Sequence, residues 1–492
     1  MGNRKKVQVI IHSIFWIYAI ALLAAMLVNA WFNDLGSDSA VQIKYCRQSL
    51  ETMMTWVKGD FHPPFYHFML WCVCHILPDA SQVYSIFSAI PFVLVTIAAG
   101  TFIYKEFGGV SSFLLVTFWG LMSQSLYHQV EARMYGWGAF FLFAGMLSLY
   151  YIFKANMIKY WTLFAIFSLM GMYTHYYVLI QFFFIVLYLL IHAVAFRRDL
   201  LKRTLITSIG LAVCYVPWLF VLLKQSSVVQ NGDYWITEVL SPRTCIWYLF
   251  SFAKGYELLF IFLFVLTVNY IIIKKIIYIQ VVEGKKKIRI KLANLFVKAN
   301  NHKLYLIQVV VLSGVATIAT GLILSHLMHP MILDRYIYFP AIGFWLVIPI
   351  CISMTPNKWG SGFVGTLVMG MILWYNIPIL CNTISDQIAS YKFKERLYEV
   401  VNPNAEEPGV IITDWVMKYY PLSSYYYPSW EVIAIDKMDI SLYEAISQIP
   451  ENEKVYCFVS DQLEELDNTY NFEYIDAGTI GESFSYVYEV NR

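Results

Sequence analysis

The sequence predicts an α-helical polytopic membrane protein of about eleven transmembrane helices, followed by a small α/β domain outside the membrane. Of its 492 residues, 59% are apolar and 14% charged, whereas soluble domains average roughly 45–50% and 25%. The apolar residues fall into blocks near the roughly 20 residues that a helix needs to cross a bilayer. A formal net charge of only +2 argues against a nucleic-acid partner. The scattered cysteines, without a CxxC pair, favour neither a disulfide framework nor a zinc knuckle.

The predicted spans follow from the apolar blocks, the longest of which we divide at Thr174-His175. The first block is longer than the apolar part of a signal peptide, so we interpret it as an uncleaved anchor. The eleven predicted spans are 7–30, 85–104, 110–127, 134–153, 160–176, 177–196, 204–223, 257–273, 304–325, 337–354 and 361–383.

Residues 62–77 decide the predicted orientation, because they are apolar but short and begin at His62-Pro63-Pro64. We interpret them as an interfacial helix within a long first external loop, residues 31–84. The loops on the N-terminal side of the membrane then hold more than half of the 35 Lys and Arg residues. Of the acidic residues they hold only Glu106, Asp199 and Glu283. Positive loops mark the cytoplasm, so we expect the N-terminus inside and the C-terminus outside.

The tail differs in character from the membrane part. From about residue 384 the chain becomes polar and acidic, and short β-rich runs alternate with helix-like stretches. We therefore expect a membrane module at 1–383 and an extracytoplasmic α/β domain at 384–492. The predicted strands are 409–413, 431–436 and 454–460, and the clearest predicted helix is 442–448.

Unusual polar residues converge on the predicted external loops, and ionisable groups at membrane depth indicate a functional site by default. Each has a structural alternative. Asp38 is also a suitable helix N-cap, Glu131 and Arg133 are each able to snorkel to the interface, and Arg335-Tyr336 is also typical of an interfacial anchor. Because all of these residues lie on the same predicted side of the membrane, a site at the outer leaflet is the stronger interpretation.

Several motifs occur in a characteristic order. An acid, Asp38, follows the first span, and later come His62-Pro63-Pro64-Phe65-Tyr66, Glu131-Ala132-Arg133-Met134-Tyr135, Tyr173-Thr174-His175-Tyr176-Tyr177 and Arg335-Tyr336. This order resembles that of the C-type (GT-C) integral-membrane glycosyltransferases of the family-39-like group, which include protein O-mannosyltransferases and lipid A aminoarabinose transferases. The resemblance covers about residues 7–354 and not the tail. The family usually has two neighbouring acids after the first span, whereas here Ser39 follows Asp38 and Asp34 lies four residues earlier.

The resemblance implies transfer of a hexose or pentose, with inversion, from a polyprenyl-phosphate sugar to a lipid, glycan or protein acceptor. The site would face the extracytoplasmic side of a bacterial cytoplasmic membrane. Asp38 is the expected catalytic base, with Asp34 as the alternative or assisting acid. The expected donor-phosphate ligands are Arg335, Tyr336, Arg133, His62 and Lys58. The expected substrate-binding residues are Glu131, Tyr135, His175, Tyr176 and Asp233.

Some alternatives stay open. His62, His67 and His75 do not have the i,i+4 spacing of zinc-binding helices, and the second acid is missing. No cofactor is firmly implied, and a divalent metal is disfavoured. The alternative functions are a lipid-pyrophosphate-oligosaccharide transferase, a lipid-linked-sugar flippase or transporter, and a sensor or scaffold with an external binding domain.

Overall fold

The computed structural model describes residues 2–230, 236, 238–251, 277–282, 285–290, 302–354, 358–463, 470–481 and 483–491. The helices are α1 (Gly2–Phe32), α2 (Ser37–Cys46), α3 (Leu50–Gly59), α4 (Phe65–Ile76), α5 (Ser81–Ala98), α6 (Tyr104–Phe107), α7 (Gly109–Leu121), α8 (Ser123–His128), α9 (Tyr135–Ala155), α10 (Ile158–Met172), α11 (Tyr176–Ala195), α12 (Arg198–Gln230), α13 (Pro242–Leu249), α14 (His302–Leu327), α15 (Asp334–Ser353), α16 (Lys358–Val400), α17 (Val416–Pro421), α18 (Ile435–Met438) and α19 (Leu442–Ser447). The strands are β1 (Ile277–Val282), β2 (Lys285–Ile290), β3 (Val410–Thr413), β4 (Glu431–Ala434), β5 (Val455–Val459), β6 (Asn471–Ile480) and β7 (Ser483–Asn491).

The membrane part consists of packed apolar helices. Within the described ranges, eight helices are long and apolar enough to cross a bilayer, and these are α1, α5 with its continuation through α6, α9, α11, α12, α14, α15 and α16. The predicted spans 110–127 and 160–176 fall on the shorter apolar helices α7 and α10. The predicted span 257–273 lies outside the described residues. The chain is therefore an integral membrane protein in which ten of the predicted spans coincide with helices.

The first predicted external loop folds into three short helices, α2, α3 and α4. The twelve residues of α4 rise only about 18 Å, which is less than the roughly 30 Å hydrocarbon core. This length agrees with an interfacial helix at 62–77. The backbone N–H of Phe65 donates to the carbonyl of Tyr173 at 2.8 Å, so α4 is fastened to the turn before α11.

The C-terminal sheet has five strands in the order β4-β3-β5-β7-β6. Strands β3, β4 and β5 run parallel, and β7 is antiparallel to both β5 and β6. The three predicted strands therefore exist, whereas the hairpin β6–β7 was not predicted. Outside this sheet, β1 and β2 pair antiparallel within the predicted basic loop.

The predicted boundary at residue 384 falls inside a helix. The 43 residues of α16 run without a break to Val400 and span about 65 Å, roughly twice the thickness of the hydrocarbon core. The change from apolar to polar residues near 384 lies within this helix, which ends at Val400. The sheet begins at Val410.

Candidate active site

The candidate site lies where the ends of several membrane helices meet the first loop. The elements that supply it are α2, the turn between α8 and α9, the turn between α10 and α11, and the start of α15. Antiparallel neighbours bring these ends to one face of the helix bundle. The C-terminal sheet packs at the same face, because α17 and the tail segment after it contact α2.

Asp38 lies in the first turn of α2, where the helix dipole favours a carboxylate. The N-cap of α2 is Gly36, so Asp38 does not have the capping role that was its structural alternative. Its Oδ2 atom lies 3.1 Å from Arg335 Nη1 and 3.4 Å from Arg133 Nη2. The Asp38 side chain is 44% exposed, so an incoming substrate can reach this carboxylate.

Two positively charged guanidinium groups and one carboxylate meet at this site. Arg133 lowers the pKa of Asp38 below its usual value; burial opposes this change, and Arg335 and His62 reinforce it. Burial works against the Arg133 cation, but Asp38 helps hold its pKa well above the ordinary arginine value. The Nε atom of Arg133 is buried and has no hydrogen-bond partner among the described residues. Two guanidiniums therefore share the Asp38 carboxylate, and the Nε–H of Arg133 is available to bind an anion.

Aromatic rings hold the two arginines in place. The guanidinium carbons of Arg133 and Arg335 each lie 6.0 Å from the ring centroid of Tyr135, and Arg335 lies 5.8 Å from that of Tyr336. These distances fit cation–π contacts. The Tyr336 ring in turn contacts His175 at 5.0 Å between centroids.

His62 and His175 form a second pair, with ring centroids 5.4 Å apart. His62 Nδ1 bonds the Asp60 carboxylate at 2.9 Å, and although burial raises the pKa of Asp60, His62 brings it below its usual value. His175 Nδ1 accepts the backbone N–H of Tyr177 at 3.1 Å, so the ring proton of the neutral form is on Nε2. Burial keeps the pKa of His175 well below that of an exposed histidine. This Nε2 has no partner within the described part of the chain.

An apolar cavity of about 390 Å³ lies between α11, α12 and α14, beside the arginine pair. Leu223 on its wall is 58% exposed, so the cavity opens on a surface that faces lipid. Its polar lining atoms come mainly from His62, His175, Tyr176, Tyr177 and Tyr336, and its apolar lining includes Leu179, Leu222, Leu324, Met328 and Met331.

The predicted site residues separate into groups. Asp38, Arg133, Arg335, Tyr336, Tyr135, His62 and His175 come together as described above. The Tyr176 hydroxyl bonds Gln225, and the indole N–H of Trp218 donates to it at 3.0 Å. Glu131 is buried and bonds His128 at 3.5 Å.

Two predicted site residues, Lys58 and Asp34, stand apart from this cluster. The Lys58 side chain is exposed on α3, where its backbone carbonyl accepts a bond from Gln225. The Asp34 carboxylate lies among residues of the tail. Asp233 lies outside the described residues.

Sequence reasoning missed Asp60 and Gln225 as site residues. Gln225 near the end of α12 bonds the backbone carbonyls of Val57, Lys58 and Asp60, and so ties α12 to the loop that carries His62. The signal that could have identified Gln225 from the sequence is its position as a polar side chain beside a membrane span.

A divalent metal does not fit the residues around Asp38. In the described ranges, no three His, Cys, Asp or Glu residues come together as a metal-binding group. The Asp38 carboxylate faces two guanidiniums, whose charges repel a cation.

Comparison with known proteins shows the fold. No protein-family model and no curated protein matches the sequence. The structure resembles the crystal structure of ArnT from Cupriavidus metallidurans in the apo state, with a TM-score of 0.59 and 10% identity over 97% of this chain and 98% of that one. The structure also resembles the crystal structure of ArnT from Cupriavidus metallidurans bound to undecaprenyl phosphate, with a TM-score of 0.56 and 11% identity over 97% of each chain. The structural similarity to ArnT therefore includes the tail, whereas the sequence motifs cover only about residues 7–354. The predicted helical membrane fold with a small C-terminal sheet domain is therefore confirmed, and this chain shares the ArnT fold; the count of eleven spans and their orientation stay predictions.

Proposed function

We propose that this protein transfers a sugar, with inversion, from a polyprenyl-phosphate donor to an acceptor on the extracytoplasmic face of a bacterial cytoplasmic membrane. The observation that carries the proposal is the placement of Asp38 between Arg133 and Arg335, beside an apolar cavity open toward lipid. A base, an anion site and a lipid site are thus adjacent. The ArnT fold, seen in one structure with undecaprenyl phosphate bound, supports the same class of donor.

The two arginines are the proposed phosphate site. Planar guanidiniums bind phosphate oxygens in a bidentate manner, and their charge stabilises the negative charge that grows on the leaving phosphate as the glycosidic bond breaks. The cavity beside them takes the first part of the prenyl chain, with the neutral His175 donating from Nε2 to the head group. The rest of the chain stays in the hydrocarbon between α11 and α14.

Asp38 is the proposed base. Before the donor binds, its carboxylate is held by the two guanidiniums, which weakens it as a base. The donor phosphate competes for the same cations and so releases the carboxylate. An acceptor oxygen then attacks the anomeric carbon from the side opposite the phosphate, its proton passes to Asp38, and polyprenyl phosphate leaves with the electrons of the broken C–O bond.

The acceptor is a hydroxyl-bearing lipid, glycan or protein that reaches the half-exposed face of Asp38. The sugar is a hexose or a pentose. A monophosphate donor is favoured over a lipid-pyrophosphate donor, because Asp38 is the carboxylate that contacts both arginines and a metal does not fit there. Membrane lipids surround the helices as the second class of partner.

The test of this proposal is turnover by purified protein in lipid with a panel of radiolabelled polyprenyl-phosphate sugars. The acceptor is supplied as an envelope extract. We expect wild-type protein to release polyprenyl phosphate from one donor, and Asp38→Asn to release it far more slowly. If the wild-type protein acts on none of the donors, the proposal fails.

A second variant pair tests the cavity as the donor site. A Cβ at Gly321, on the cavity wall, would lie 2.7 Å from the Tyr177 hydroxyl, whereas a Cβ at Gly210 on α12 meets nothing within 4 Å. Gly321→Val should therefore displace Tyr177 on the cavity wall and weaken undecaprenyl-phosphate binding about tenfold, which corresponds to about 1.4 kcal/mol. Gly210→Val should bind as wild type. Equal affinity in the two variants would place the donor elsewhere.

A further inference from the structure

Asp34 is buried beneath the tail, although only four residues separate it from Asp38. Its carboxylate receives Lys394 Nζ at 2.7 Å, Ser390 Oγ at 3.0 Å and the backbone N–H of Gly481 at 3.0 Å. The Tyr426 hydroxyl and the backbone N–H of Leu35 also donate to it. The side chain is 9% exposed. Ser390 shares its one hydroxyl proton with the Thr479 carbonyl at 2.7 Å, and the other four donors fill the roughly four acceptor positions of the carboxylate. This carboxylate therefore has no open position for an acceptor hydroxyl.

The residues on either side of Asp34 are held by the same parts of the tail. Gln387 Nε2 donates to the Asn33 side chain at 3.1 Å, and the backbone N–H of Leu35 also donates to the Tyr426 hydroxyl at 3.1 Å. The Ser37 hydroxyl donates to the Met417 carbonyl at 2.7 Å. Helix α16, helix α17, the segment at Tyr426 and the β6–β7 turn thus all bind residues 33–37.

The β6–β7 turn reaches Asp34 only because Gly481 adopts a left-handed conformation, with φ of +58°. A Cβ at this position would lie 2.2 Å from the Pro421 side chain. The absence of a side chain therefore lets the turn pack between Pro421 and residues 33–37 while its backbone N–H bonds Asp34.

The contacts between the tail and residues 33–37 lie directly before α2, the helix that carries Asp38. Helix α1 ends at Phe32 and α2 begins at Ser37, so four residues without helical structure lie between them. Helix α2 therefore does not take its direction from α1. Its packing against α3, α4, α17 and the segment after α17 sets that direction together with the contacts of residues 33–37. A displacement of a catalytic group by about 1 Å is enough to lower turnover roughly 100-fold.

We propose that Asp34 is a positioning residue through which the C-terminal domain fixes α2, and with it Asp38, opposite Arg133 and Arg335. The proposal rests on the proposed function, since it assigns Asp34 a role in that reaction. It also replaces the expectation that Asp34 assists as an acid, and it gives the tail a part in catalysis.

The test compares Asp34→Asn with Arg396→Met in the full-length protein in lipid. Arg396 lies two residues from Lys394 on α16 and pairs with Asp476 of β6 at 2.7 Å, so Arg396→Met disturbs the same helix and hairpin without touching residues 33–37. Exposed pairs of this kind contribute little. Tyr426→Phe is the second test variant. It keeps the ion pair between Lys394 and Asp34, removes the hydroxyl that donates to Asp34, and replaces Asp34→Asn in the test if that variant does not fold.

Three readouts are compared: hydrogen exchange of residues 37–46, turnover, and the affinity for undecaprenyl phosphate. We expect Asp34→Asn to speed exchange at 37–46 and to lower turnover about 10- to 100-fold. The affinity should not fall, because the arginines and the cavity lie on other elements, and it should rise where a displaced Asp38 no longer competes for the arginines. Tyr426→Phe should change exchange and turnover in the same direction by less. Arg396→Met should match wild type in all three.

Unchanged exchange at 37–46 in both test variants overturns the positioning role. A fall in turnover matched by an equal loss of undecaprenyl-phosphate affinity also overturns it, since that result indicates general damage. Wild-type protein without turnover on any donor instead refutes the proposed function, and the exchange measurement alone then decides whether the tail holds α2.

Discussion

Replacing Asp38 with Asn should move turnover and donor binding in opposite directions. The amide cannot accept the proton of the acceptor, and loss of a general base costs about 10²- to 10⁴-fold in rate. The same change removes the anion that competes with the donor phosphate for Arg133 and Arg335. Donor affinity should therefore rise while turnover falls.

The size of the rise follows from the geometry. Asp38 makes two ion pairs, at 3.1 and 3.4 Å, and its side chain is 44% exposed. Exposed pairs contribute about 0.2–1 kcal/mol each. Two such pairs oppose phosphate binding by about 0.4–2 kcal/mol, so their removal should tighten binding about 2- to 30-fold.

The assay measures equilibrium binding of radiolabelled undecaprenyl phosphate to the protein in lipid nanodiscs, together with single-turnover release from the donor. Asp38→Glu, which keeps the charge, is the matched control and should not tighten binding. Weaker binding by Asp38→Asn would show that the carboxylate helps hold the lipid, and the competition between carboxylate and phosphate would then be refuted.

Three other predictions follow from the same contacts. Arg335→Lys keeps the charge but loses the planar fork, so undecaprenyl-phosphate affinity should fall about 10- to 100-fold; equal binding by the two side chains would show that a point charge suffices. The Asp38 carboxylate works when ionised, so turnover falls as pH drops through its pKa. Arg133 lowers that pKa in the free protein and bound phosphate offsets the effect, so the acid limb of kcat should lie at higher pH than that of kcat/KM for the donor, and coincident limbs contradict this. Lys394→Met leaves Asp34 buried without its cation and should cost about 3–5 kcal/mol, whereas Arg396→Met should cost under about 1 kcal/mol; similar unfolding midpoints in detergent for the two variants would contradict it.

The membrane spans were the easiest part to predict. A bilayer sets both the length of a span and its apolar character, and these are properties of a continuous stretch of chain. The predicted boundary at residue 384 follows the same change in hydropathy, whereas α16 continues through it to Val400. The hairpin β6–β7 was missed because β-propensity depends on packing against neighbouring strands, which a local stretch of sequence does not show.

The candidate site was predicted as a set of residues but not as an arrangement. The ordered motifs named Asp38, Arg133 and Arg335, and the structure brings the three together although Asp38 and Arg335 are 297 positions apart. Gln225 was missed because its role depends on α12 and the loop at Asp60, which meet only in the folded chain.

From its order of residues alone, this chain is recognisable as a membrane protein whose polar motifs gather at one face, because hydropathy and loop charge are local properties. The roles of its two nearby acids are not recognisable in that way, since Asp34 and Asp38 are the same residue type on the same short segment. Folding separates them. Lys394, 360 positions away, meets Asp34, while Arg335 meets Asp38, and a carboxylate acts as an anchor or as a base according to the donors that surround it.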